Sequence, residues 1–199
     1  MIFTINPENP QPRLVQKVVG LLKDGAVIAY PTDTQYGLGC DLSQKKAIEK
    51  IYKIKQRNLK SPFSIICAGL THISEYAIIS NFAYRTLKRL LPGPFTFVLP
   101  GTKLVPQIML TKRDEVGLRV PNHPVAIALV KALGRPLINT SAKLDGQELA
   151  LTSPQEIEEV FKGQVDAVVD GGPVPGEPST IVSLIQDDPV ILRQGLGIF

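Results

Sequence analysis

Histidine and cysteine each occur twice in the 199 residues, and tryptophan is absent. Cys40 and Cys67 alone exclude a disulfide scaffold and a four-cysteine zinc site, and they suit a reducing cytoplasm. His72 and His123 cannot supply the histidine cluster that many metal and relay mechanisms need. No apolar run approaches the roughly 18 residues of a membrane span. The segment from Met1 to Pro7 has no basic stretch followed by an apolar one, so no signal peptide is expected. There is no GxxxxGK[ST], nor any Gly-Lys dipeptide, which excludes a P-loop. GxSxG and HExxH are also missing. Gly37-Leu38-Gly39-Cys40-Asp41-Leu42 begins like a dinucleotide fingerprint but lacks its third glycine. A bound nucleotide would therefore be held by side chains and loop backbone.

What is present suits a packed globular protein: 44% hydrophobic and 20% charged residues exclude a disordered chain. Without repeats, low-complexity tracts or a linker-like boundary, one domain over 1–199 is expected. The net charge of +4 is unevenly spread. Between Ser43 and Ser61 lie seven cations (Lys45, Lys46, Lys50, Lys53, Lys55, Arg57, Lys60) and one acid, Glu49, so this window carries 7 − 1 = +6. Such a window points to a phosphate-bearing ligand, nucleotide or nucleic acid, or else to a solvated helix face.

Strand-like and helical runs alternate. Strands are predicted at Met1–Ile5, Ala26–Tyr30, Phe63–Cys67, Phe95–Leu99, Val116–Val120, Leu137–Ser141, Val165–Val169, Thr180–Leu184 and Val190–Leu192. Leu14, Val15, Val18, Val19 and Leu22 have helical spacing, with Gly25 as a stop. A second helix carries Ala47, Ile48, Ile51 and Ile54 inward and most lysines outward, with residues 41–44 as its cap. Asn81–Leu91 forms another, and Asn122 is expected to cap a helix with Pro124 in its first turn and Gly134 beyond its end. Ser153-Pro154-Gln155-Glu156 reads as a capping box. The pattern is α/β with a mixed sheet.

Four segments could carry chemistry. Tyr30 to Gly39 runs from a buried strand through Pro31 and Thr32-Asp33-Thr34 to two glycines, a turn whose hydroxyls and amides could bind an anion, or one merely shaped by Pro and Gly. Lys55-Gln56-Arg57 pairs a mobile charge with a rigid fork, suited to a polyphosphate or to a helix C-terminus. Asn139-Thr140-Ser141-Ala142-Lys143 places short polar groups and a lysine at a strand end. In Gly171 to Thr180, six of the first eight residues are Gly or Pro; such a loop could close over a ligand or simply connect two strands. Arg119 and Arg193 lie near further strand ends.

The ordered set YPTDTQYGLGCD (30–41), KQR with its following SPF (55–63), PGPFTFVLP (92–100), GLRVP (117–121), NTSA (139–142), PST (178–180) and LRQG (192–195) resembles the YrdC/YciO family, the YciO branch in particular. The resemblance implies a single twisted α/β domain, YrdC/RibB-like, with a basic concave face. It also implies a threonylcarbamoyl-AMP synthase reaction on threonine, bicarbonate and ATP with Mg²⁺, linked to modification of tRNA adenosine. By that resemblance Thr34, Arg119, Asn139 and Ser179 hold threonine. Lys55, Arg57, Ser61, Ser141 and Arg193 hold the nucleotide, with Lys55 and Arg57 acting in catalysis. No metal-ligating protein residues are expected. The synthases usually carry Ser-x-Asn where this chain has Ser141-Ala142-Lys143, and often Pro where it has Asn58. The alternative is a protein that binds tRNA or double-stranded RNA with weak or no synthase activity.

Overall fold

The structure is a computed structural model that describes residues 1–56, 63–144 and 150–199. Among these described residues ten strands form one mixed sheet: β1 (Ile2–Thr4), β2 (Ile28–Tyr30), β3 (Gly37–Gly39), β4 (Ser64–Ile66), β5 (Phe95–Pro100), β6 (Glu115–Arg119), β7 (Leu137–Ser141), β8 (Ala167–Asp170), β9 (Thr180–Ser183) and β10 (Val190–Arg193). Their order across the sheet is β1-β8-β2-β3-β7-β4-β6-β5-β9-β10. Among the described residues six α-helices accompany it: α1 (Pro12–Lys23), α2 (Lys45–Ile54), α3 (Leu70–Tyr76), α4 (Asn81–Leu90), α5 (Pro124–Leu133) and α6 (Pro154–Val160). No helix among the described residues is long and apolar enough to cross a membrane.

The helices follow from their sequence patterns. Val15, Val18, Val19 and Leu22 form the buried stripe of α1. It packs with Val125, Ala126, Leu129, Val130 and Leu133 of α5 over Ile28, Ala167 and Val169. Gly134 ends α5 at φ +73°, a left-handed conformation that glycine adopts without a Cβ clash. Ser153 caps α6, its hydroxyl accepting from the Glu156 N–H.

Two local expectations need correction and a third is narrowed. Gly37-Leu38-Gly39 is a strand, β3, paired antiparallel with both β2 and β7. A Cβ on Gly39 would lie 2.3 Å from the Ile138 carbonyl oxygen and 2.7 Å from the Tyr30 ring, so the glycines admit a tyrosine across a strand. Asn122 is not the cap of α5: His123 takes that position, and the Asn122 N–H donates to Asp33. Of the 41–44 segment expected to cap α2, Gln44 is the N-cap, and Asp41 has another role. It is fully buried, accepts from Ser43 and pairs with Arg135, while Gln44 begins the helix without a side-chain cap bond. Helix α3 had no signal in the periodicity, because its seven residues bury only Ile73.

The half-sheet β7-β4-β6-β5-β9 positions the functional site. Its register aligns Ile138, Ile65, Leu118, Phe97 and Val182 in one transverse row, all fully buried in a core shared with α2 and α4. Successive side chains alternate between the faces of a strand. The neighbouring row of Asn139, Ser64, Gly117 and Val98 must therefore face the other way.

Candidate functional site

That second row is the floor of a cavity of about 660 Å³. Gly117 leaves bare backbone in the floor, and Thr96, Val98 and Ile181 add hydroxyl and apolar surface. The walls come from the 34–36 turn, the strand end at 139–143 and the 176–179 segment. Arg119, Lys143 and Arg193 line it against one carboxylate, Glu177, which makes this concave face basic among the described residues.

Arg119 ends β6 and is 3% exposed. One terminal nitrogen donates to Asp33 Oδ1 and, at 2.7 Å, to Thr34 Oγ1. Its Nε–H is buried without a partner among the described residues. A buried unmet donor is costly, and the guanidinium as a whole suits an anionic ligand atom in the cavity. Thr34 is set by a hydroxyl turn in which Thr32 Oγ1 donates to the Gln35 carbonyl at 2.6 Å and lies 3.1 Å from Thr34 Oγ1.

The Gly/Pro-rich loop from 171 to 179 is strapped down at several points. The Gly176 N–H donates to the Thr34 carbonyl and Gln35 Nε2 to that of Gly176, at 2.8 and 2.7 Å. The Tyr36 hydroxyl donates to the Gly172 carbonyl at 2.7 Å; burial pushes this phenol's pKa up, so it stays a donor. Arg193 closes the far end, donating to the Ser179 carbonyl at 2.7 Å. Ser179 Oγ shares a hydrogen bond of 2.9 Å with Thr96 Oγ1.

Asn139 faces the cavity, but its amide is already engaged. Its oxygen accepts from the Tyr30 hydroxyl at 3.0 Å and its nitrogen donates to Ser64 Oγ at 3.3 Å. Burial raises the Tyr30 pKa far above neutrality, which keeps that hydroxyl protonated.

The structure thus brings together Thr34, Arg119, Asn139, Ser141, Ser179 and Arg193, all lining the cavity. Lys55 stands apart: 3% exposed, it sits behind the wall and donates to the Ser141 and Lys143 carbonyls. Arg57 and Ser61 lie outside the described residues. The basic window is divided among several environments. Lys45, Lys46 and Lys53 are exposed, and Lys50 pairs with Asp166 at 2.9 Å. Sequence reasoning missed Ser64, Thr96 and Gly117, whose signal is the strand alternation itself, and the pairing of Asp33 with Arg119, which carries no local signal.

A family model described as "Telomere recombination", that of the Sua5, YciO and YrdC proteins, matches residues 20–195. The chain is 42% identical to "Uncharacterized protein YciO" of Escherichia coli K12, over 98% of this chain and 95% of that one. It is 33% identical to the threonylcarbamoyl-AMP synthase of Pyrococcus abyssi over 91% of this chain, but over only 54% of the synthase, so it spans about half of that enzyme. The crystal structure of E. coli YciO superposes with a TM-score of 0.95 at 41% identity, covering 100% of this chain and 97% of that one. P. abyssi Sua5 complexed with L-threonine superposes at 0.91 and 31% identity, covering 98% and 57%. The match over residues 20–195 and the 42% identity to YciO along nearly the whole chain show that the chain belongs to the Sua5/YciO/YrdC family.

Proposed function

We propose that this cavity binds threonine and ATP and forms threonylcarbamoyl-adenylate. The observation that carries the reading is the buried Arg119, a lining residue of a polar cavity whose Nε–H has no partner among the described residues. A guanidinium fork suits a carboxylate. The relative that superposes at 0.91 is described as complexed with L-threonine, which supports the same ligand here.

In the proposed reaction the threonine amine adds to bicarbonate, and water leaves to give a carbamate. A carbamate oxygen then attacks the α-phosphorus of ATP. The bond from that phosphorus to the bridging oxygen breaks, and pyrophosphate carries away the electron pair. No protein nucleophile is required, so alignment of the reactants and stabilisation of phosphate charge carry the catalysis. Arg119 and Thr34 would hold the amino acid. Arg193 and the Ser141 strand end, backed by Lys55, would face the nucleotide. Magnesium enters as part of the MgATP substrate, as is usual for an ion that keeps its waters and binds mainly to phosphate. Glu177 is the one carboxylate residue in the cavity lining among the described residues, and it could add a ligand. The product is of the kind used to modify tRNA adenosine.

Incubation with MgATP, labelled bicarbonate and threonine tests this. Threonine-dependent release of pyrophosphate with labelled adenylate is expected, and its loss in Arg119→Ala. No release above that variant's background refutes it.

A second reading, binding of tRNA or double-stranded RNA with weak or no synthase activity, rests on another surface. Lys45, Lys46 and Lys53 on α2 are exposed rather than turned into the cavity. It requires RNA affinity that falls steeply with salt and weakens on replacing all three lysines by alanine.

A further inference from the structure

We infer that Asp33 is the positioning residue that aims Arg119 into the cavity; the inference deepens the proposed threonine site and rests on it. Asp33 is not part of the cavity lining. It lies behind Arg119, with its side chain 11% exposed against 4% for the arginine's. Its two carboxylate oxygens have different tasks. Oδ1 accepts from the Arg119 terminal nitrogen, and Oδ2 accepts from the Asn122 backbone N–H at 3.0 Å. One side chain thus ties the turn between β2 and β3 to the end of β6 and to the corner entering α5.

The geometry of the guanidinium turns this tie into aim. The group is planar and its five N–H directions are rigidly related. Once one terminal nitrogen is held by Asp33 and Thr34, the plane is set, and so is the direction of the buried Nε–H. An ion pair serving stability alone would have no need to leave a buried donor unmet. Here that donor belongs to a residue lining the cavity. The carboxylate also offsets the arginine's charge in a place where an unpaired cation would be strongly disfavoured. Arg119 can then wait in a fixed orientation without a ligand, and the amino acid's carboxylate loses little by way of reorganisation on binding.

The order of contacts is therefore Asn122 N–H to Asp33, Asp33 to Arg119, and Arg119 to the ligand. Removing the charge at its middle should free the guanidinium and weaken amino-acid binding, while nucleotide contacts on the Arg193 side stay intact.

The test compares wild type with Asp33→Asn and Asp33→Glu. The Arg119 Nε–H proton is identified in a ¹H–¹⁵N spectrum by its loss in Arg119→Lys, and its exchange with water is measured. L-threonine and ATP affinities are measured by calorimetry, and unfolding midpoints are recorded alongside. In Asp33→Asn the expected results are at least tenfold faster Nε–H exchange, at least tenfold weaker threonine binding and ATP affinity within twofold of wild type. Asp33→Glu should recover part of both losses, and it substitutes as the test variant, with smaller changes in the same direction, if Asp33→Asn does not fold. Unchanged Nε–H exchange overturns the inference. So does a parallel fall of threonine affinity, ATP affinity and unfolding midpoint, since that marks a purely structural pair. If wild type binds no threonine, the proposed function fails, yet the exchange comparison still decides whether Asp33 holds Arg119.

Discussion

The ammonium of Lys55, at the C-terminal end of α2, donates to the carbonyl of Ser141, at the end of β7, across 2.9 Å. A second bond runs to the Lys143 carbonyl. The lysine of the Lys-x-Arg motif therefore fastens the cavity's strand end to the helix. Lys55→Met should leave two carbonyls without their charged donor and lower unfolding free energy by about 2–3 kcal/mol, with hydrogen bonds to charged groups setting the scale. Urea titration checks this, and a midpoint equal to wild type contradicts it. Loss of activity in a Lys55 variant consequently needs a stability measurement beside it.

Phe97 sits at the centre of the buried row, fully enclosed between Leu118 and Val182. Phe97→Ala should cost about 3–5 kcal/mol, because a cavity remains where the ring was. Thr96→Val, one residue along and on the opposite face, should cost only about 1 kcal/mol, through loss of the buried hydroxyl pair with Ser179. Equal destabilisation by the two would argue against the alternation of faces.

Glycine positions should separate sharply. A Cβ at Gly39 meets the Ile138 carbonyl oxygen at 2.3 Å, and backbone cannot yield cheaply, so Gly39→Ala should be strongly destabilising. At Gly37 the Cβ meets Asn139 Oδ1, a side-chain atom, at 2.4 Å. Gly37→Ala should mainly displace Asn139 from Tyr30 and alter ligand binding more than stability. Gly20 is inside α1, and apart from the helix's own backbone no described atom lies within 4 Å of where its Cβ would be. Gly20→Ala should stabilise by about 0.5–1 kcal/mol. Thermal unfolding of the three variants gives the ranking directly.

Acid should weaken the fold partly through Asp41. Burial alone would raise its pKa, but hydrogen bonds from Arg135 and Ser43 outweigh that and hold it below the ordinary carboxylate range. A carboxyl depressed in the folded state adds stability above its unfolded value of about 3.9, and that stability is lost as pH falls through the folded value. Arg135→Gln should therefore reduce stability at pH 7 and flatten its dependence on pH below about 4. A full acid dependence retained in this variant would assign the effect to other groups.

Much of the site was legible in the sequence because its residues sit in short motifs with turn chemistry. The Pro-Thr-Asp-Thr turn, the Arg119 strand end, the Asn-Thr-Ser strand end and the Ser179–Arg193 segments all reach one cavity. Periodicity was enough to assign α1, α4 and α5 and most strands, since one buried face repeats at the period of its element. Where local rules failed, a partner distant in sequence had intervened. Gly37 to Gly39 looked like a turn because nothing nearby reveals that Tyr30 and β7 need space beside that strand. Asn122 looked like a helix cap until Asp33, 89 residues away, accepted its N–H.

Composition and motif order by themselves determined an α/β domain without disulfides or a P-loop and with cations near strand ends. Tertiary structure decided which of those cations face the cavity. Lys45, Lys50, Lys53 and Lys55 share one stretch of helix sequence, yet two are solvated, one pairs with Asp166 and one is buried against carbonyls. Sequence proximity could not separate them, because the environment of a charge is set by what packs around it, and those neighbours come from the other end of the chain.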